Sequence, residues 1–209
     1  DKPDGPYTVP MMAGDTAGLL DALGIKDAYV MGHSLGGFIA QELIINRPDL
    51  ISRLVLSSTN YGGMKVIPIT PEAIEVLTNR EGDPLDLVRR GIEIACAPGF
   101  LGKQITLVQE LINYRFTNPV PIPQYQAQVA AGAGMAALTE ADVDQRMASI
   151  QVPTLILFGE FDRVVPPGNA DLMASKISDA QIVILPACGH IFPVEDPQAT
   201  IDTLLKFLP

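Results

Sequence analysis

Tryptophan is absent, histidine and cysteine occur twice each, and 14 basic residues face 24 acidic ones among 209 residues. The resulting net charge of −10 contains no block of positive charge, and such a surface repels nucleic-acid phosphates and anionic membranes. No nucleic-acid and no membrane partner is therefore expected. Cys96 and Cys188 form no C-x-x-C pair, in a chain large enough to bury a core without disulfides. Free thiols in a reducing cytoplasm are the expectation. No apolar run reaches the roughly eighteen residues of a membrane helix; the longest, Ala127 to Leu138, is broken by Gly132 and Gly134. With no signal peptide evident, a soluble cytoplasmic chain is expected, although the start Asp1-Lys2-Pro3 lacks Met and leaves processing or truncation open. Charged residues are few, at 18%, and mean hydropathy is +0.24, which excludes disorder as the main state.

What is present reads as alternating strands and helices. Met12, Thr16, Leu19, Leu20 and Leu23 follow helical spacing up to Gly24. Ala28–Met31 is a short apolar run, followed by the turn Gly32-His33-Ser34-Leu35-Gly36-Gly37 and a helix from Phe38 to Asn46. Arg53–Ser57 reads as a buried strand of a parallel sheet. Between residues 60 and 147 no strand is evident, and helices start at Thr70-Pro71, Asp83-Pro84 and near Pro123; a capping residue before Pro favours helix initiation. The strand pattern resumes at Thr154–Phe158 and Gln181–Leu185, with helices at Ala170–Ile177 and from Asp196-Pro197 to Phe207. The expected fold class is α/β with a mostly parallel sheet, residues 1–59 and 148–209 forming the core and 60–147 a helical cap insertion.

Gly32-His33-Ser34-Leu35-Gly36 fits G-x-S-x-G and lies between a predicted strand and a predicted helix, where a nucleophile elbow must sit. Glycines on both sides let the backbone turn sharply, holding the hydroxyl at the carboxyl edge of the sheet. A serine hydroxyl needs a base. His33 adjoins the serine and is expected to point away from its hydroxyl, as a packing residue. His190, in Ala187-Cys188-Gly189-His190 after the last strand, is the candidate base. The acid that orients it should leave the sheet at the same edge. Asp162 in Gly159-Glu160-Phe161-Asp162-Arg163 is preferred, with Glu160 as rival.

The chain resembles α/β-hydrolases with a helical cap, of the serine esterase and enol-lactonase-like branch. The resemblance rests on Leu20–Ile25, Gly32–Gly37, Arg53–Leu56, Val152–Leu155 with Gly159–Asp162, and Gly189-His190 with Glu195-Asp196-Pro197. It implies Ser34 as nucleophile, His190 as base, Asp162 as acid and the Leu35 N–H as an oxyanion donor, in the chain order Ser, Asp, His of that fold. Relatives with an aspartate nucleophile are disfavoured by Ser34. Members usually carry several strands before the elbow, including a His-Gly loop that supplies a second oxyanion donor; here 27 residues precede Ala28. The strand at 28–32 should therefore be an apolar edge, covered by a second copy of the chain or belonging to a longer parent.

The function expected is hydrolysis of a small or medium hydrophobic ester through an acyl-enzyme, without cofactor or metal. The same residues could also serve lactone or carbon–carbon cleavage or perhydrolysis. The alternative is a weakly active binding or assembly module. Gly132-Ala133-Gly134-Met135-Ala136-Ala137 fits G-x-G-x-x-A without a surrounding βαβ unit and is read as a flexible cap loop. Cys188 is read as a small buried residue. Ile105, Leu107, Val108, Leu111 and Ile112 are expected to pack on the main sheet, some lining an acyl pocket.

Overall fold

A computed structural model describes residues 2–208. Its centre is a parallel four-stranded sheet in the order β1 (Ala28–His33), β2 (Ile51–Ser57), β3 (Thr154–Gly159) and β4 (Ala180–Leu185). β2, β3 and β4 are short and rich in Val, Ile and Leu, as strands of a parallel sheet are, whereas β1 carries a single Val. Alternate residues of β2 and β3 enter opposite layers. Leu54, Leu56, Ile156 and Phe158 join one cluster, and Val55, Leu155 and Leu157 join the other.

The first cluster is closed by α1 (Val9–Ala22), α2 (Leu35–Asn46), α8 (Glu140–Ala148) and α9 (Asn169–Ala174), through residues such as Ala17, Leu43, Met147 and Met173. The second is closed by α10 (Phe192–Glu195) and α11 (Pro197–Phe207) through Phe192 and Phe207. Between β2 and β3 the chain runs through α3 (Pro71–Thr78), α4 (Pro84–Ala95), α5 (Phe100–Lys103), α6 (Ile105–Thr117), α7 (Ile122–Ala133) and then α8. Three of the starts are set by side-chain caps: Thr70 accepts from the Ala73 N–H, Asp83 from those of Leu85 and Asp86, and Thr139 forms a capping box with Asp142.

Two expectations are corrected here. Gly132–Ala137 is not a loop: α7 runs to Ala133 and a 3-10 turn, Gly134–Ala137, continues it. Small residues without β-branching let the helix tighten rather than stop. Val108 and Ile112 do not pack on the sheet; they form a separate cluster with Ile92, Cys96 and Phe100, while Ile105 is exposed. Within this segment α4, α5 and α6 thus bury their apolar faces against one another, while α8 packs on the sheet. Among the described residues no helix is long and apolar enough to cross a membrane.

Candidate active site

The elbow follows from close packing at the end of β1. A Cβ on Gly32 would stand 2.3 Å from the Gly36 carbonyl oxygen and 2.7 Å from the Ala40 Cβ, so only glycine lets α2 fold back this closely. Ser34 sits between strand and helix with φ 54° and ψ −121°, a conformation costly for a residue with a side chain and typical of functional turns. Two backbone bonds hold it: the Ser34 N–H donates to the Ser57 carbonyl on β2 at 2.9 Å, and the Gly37 N–H donates to the Ser34 carbonyl at 2.9 Å.

Two further strand ends deliver the remaining groups. His190 follows β4, and its Nε2 lies 3.0 Å from Ser34 Oγ. Its Nδ1 lies 2.8 Å from Asp162 Oδ2, in the loop after β3. The other carboxylate oxygen, Oδ1, accepts from the N–H groups of Val164 at 2.9 Å and Val165 at 2.8 Å. Asp162 is only 3% exposed, so these bonds fix the carboxylate, and through it the imidazole, in one orientation. Nδ1–H then donates to Asp162, and the Nε2 lone pair faces the serine hydroxyl.

Glu160 does not enter this line; it is exposed and accepts from the Ala187 N–H at 2.9 Å. The His33 Nδ1 lies 2.8 Å from Ser57 Oγ. Its ring packs against His190, centroids 5.0 Å apart, and edge-on to Phe192 at 5.7 Å. Burial, reinforced by the neighbouring His190, pushes the His33 imidazole down to about 4. It is a neutral wall beside the base. Leu35 opens α2, so its N–H has no intrahelical acceptor and lies beside the Ser34 hydroxyl's own residue. Cys96 and Cys188 are buried free thiols, pushed up by burial to about 12 and about 11, and are poor nucleophiles on that account.

Two charged residues that sequence reasoning gave no role tie this edge to the helical segment. Arg163 donates to the carbonyls of Glu93 and Cys96 and pairs with Glu72 at 3.4 Å. Glu195 accepts from the N–H groups of Gly189 and Ala97, both at 2.7 Å. The only sequence signals were that Arg163 follows Asp162 directly and that Glu195 lies in the stretch Glu195-Asp196-Pro197 shortly after His190.

The model of the α/β hydrolase fold matches residues 1–197. The chain belongs to that family. It is 28% identical, over 193 residues, to a 2-hydroxy-6-oxononadienedioate/2-hydroxy-6-oxononatrienedioate hydrolase of a Pseudomonas species, covering 91% of the chain and 66% of that relative. The chain thus spans just under two-thirds of that protein's length. Among solved structures it is similar to a thermophilic esterase from Thermogutta terrifontis, at TM-score 0.75 and 27% identity, with 99% of this chain and 74% of that one covered. It is likewise similar to the enol-lactonase from Burkholderia xenovorans LB400, at TM-score 0.76 and 25% identity, with 100% and 75% covered.

Proposed function

We propose that this α/β-hydrolase cleaves carboxylic esters of small to medium hydrophobic acyl groups, with Ser34 as nucleophile, His190 as base and Asp162 as its orienting acid. The observation that carries the reading is the unbroken line of hydrogen bonds from Ser34 Oγ through both ring nitrogens of His190 to Asp162. In acylation Ser34 Oγ bonds to the ester carbonyl carbon while its proton passes to His190 Nε2, and the carbonyl π pair moves onto oxygen. The Leu35 N–H, in the first turn of α2, faces that oxyanion with the positive end of the helix behind it. Collapse restores the carbonyl and breaks the ester C–O bond, and His190 returns the proton to the leaving alkoxide. Water then repeats the sequence on the acyl-enzyme. Asp162 keeps its charge throughout and stabilises the imidazolium.

Similarity to an esterase and an enol-lactonase supports hydrolysis at an acyl carbon. The test is hydrolysis of p-nitrophenyl esters from acetate to octanoate. Turnover should be highest at intermediate chain length, and Ser34→Ala should lower kcat by at least about 10³-fold. A folded protein with neither Ser34-dependent turnover nor labelling of Ser34 by a fluorophosphonate overturns the reading in favour of a binding module.

A second reading, carbon–carbon hydrolysis, is favoured by the 28% identical relative whose name specifies a 2-hydroxy-6-oxo-dienedioate. It takes the lead if kcat/KM for such a vinylogous 1,5-diketone exceeds that for every ester of the series.

A further inference from the structure

The loop that carries His190 is anchored to the helical segment through Glu195. Its two carboxylate oxygens are divided between two backbone donors: Oε1 takes the Gly189 N–H, immediately before the base, and Oε2 takes the Ala97 N–H, just beyond α4, each at 2.7 Å. On the far side of the base, the Ile191 N–H donates to the carbonyl of Ala95, the last residue of α4, at 3.1 Å. The approach is as close as a backbone allows. A Cβ on Gly189 would lie 2.6 Å from the Cys96 carbonyl carbon and 2.7 Å from the Ala97 nitrogen. Gly189, His190, Cys96 and Ala97 are all buried, so the N–H groups that Glu195 accepts would otherwise be short of partners at some cost.

Resting on the triad reading, we propose that Glu195 is a positioning residue for His190, a carboxylate that locks the base's loop to the end of α4 and sets the charge beside the imidazole. No other side chain accepts from both loops among the described residues. A neutral residue of the same shape could keep one of the two bonds but not both, because an amide would turn an NH2 group towards one of the N–H donors. Burial raises the Glu195 carboxyl and the neighbouring Asp162 adds to the rise, while its two N–H donors and His190 oppose it. The charged and titratable groups around it are His190 and Cys188 from the loop after β4, Asp162 and Arg163 from the loop after β3, Cys96 from the end of α4, and Asp196 on its own segment.

The test compares wild type, Glu195→Gln and Glu195→Asp, each first shown folded by circular dichroism, on the best p-nitrophenyl ester. Glu195→Gln should lower kcat by about ten- to a hundred-fold with KM changed less than about twofold, because the base is displaced while the acyl pocket stands. Its low-pH limb in kcat/KM should move to lower pH by roughly a few tenths to one pH unit, the imidazolium having lost a neighbouring negative charge. Glu195→Asp keeps the charge but not the reach; it should lose kcat and leave the limb in place. Because the chain has only two histidines, NMR titration of the imidazole resonances reads His190 directly, and its midpoint in Glu195→Gln should fall in parallel. That readout stands even if wild type shows no Ser34-dependent turnover, which would sink the esterase reading alone. An unmoved His190 titration in Glu195→Gln overturns the proposal. So does a change confined to KM. Should Glu195→Gln fail to fold, Glu195→Asp decides: kcat at the wild-type level overturns the role.

Discussion

Asp162 and Glu160 stand two residues apart on the same loop, yet only one can orient the base. Asp162 is buried and spends one oxygen on two backbone N–H groups and the other on His190; Glu160 is exposed and bonds the Ala187 N–H. Asp162→Asn, with the geometry kept but the wrong tautomer favoured, should lower kcat by roughly 10³–10⁴-fold, whereas Glu160→Gln should change it less than about twofold. Steady-state kinetics on one ester separates the two. His33 makes a second prediction. Its folded value near 4 lies below the ordinary 6.5, so between these limits the unfolded chain binds a proton that the native protein refuses. Stability must then fall as pH drops from about 6.5 to about 4, by up to about 3 kcal/mol over the whole span. Urea unfolding of wild type and His33→Gln across this window should show that extra slope in wild type alone. Parallel curves would mean that the pocket admits water to the ring.

At the scale of elements, the β1–α2 junction is the least tolerant point of the fold. Gly32→Ala places a methyl group against the Gly36 carbonyl and Ala40, both in the backbone-tight first turns of α2, where neither can rotate away. The expected loss is about 3 kcal/mol, read as a fall in Tm of roughly 6–12 °C, with Ser34-dependent turnover reduced further because the elbow moves. This element was legible in the sequence because its cause is local: two glycines, a serine and an apolar run within ten residues. The same holds for helix starts at Thr70-Pro71, Asp83-Pro84 and Asp196-Pro197, where cap and proline are adjacent. Ser34, Asp162 and His190 could be picked out because each stands just past a strand, and a parallel sheet brings such points together. What could not be read is contact between distant segments. The bonds from Ala97 to Glu195 and from Arg163 to Glu93 join residues 98 and 70 positions apart, and no periodicity encodes them. The packing of Val108 and Ile112 within the helical segment was missed for the same reason, since an apolar stripe does not say which neighbour it will cover.

For the whole molecule the decisive asymmetry lies between the two edges of the sheet's α11 face. There β2, β3 and β4 are covered by Phe192 and Phe207, but Tyr29 and Met31, in register with Arg53 and Val55, are 51% and 39% exposed. Among the described residues β1 pairs only with β2, so its outer N–H and C=O groups also face solvent beside this apolar strip. An unpaired strand with an uncovered apolar face is a template for another strand, and we propose that a second copy of the chain occupies it. The net charge of −10 opposes that step at long range. Salt weakens the repulsion, because the screening length shrinks from about 10 Å at 0.1 M to about 3 Å at 1 M, while the apolar and backbone contacts are little affected. Dimerisation should therefore strengthen as salt is added, the reverse of association held by ion pairs. Sedimentation velocity over a concentration series at low and high salt measures it, and Met31→Lys, which puts a charge on the strip without touching the triad, should weaken the dimer by at least about tenfold. A species that stays monomeric at every concentration and salt level would leave the β1 edge without a self-partner, and an equally stable Met31→Lys dimer would place the interface on another face.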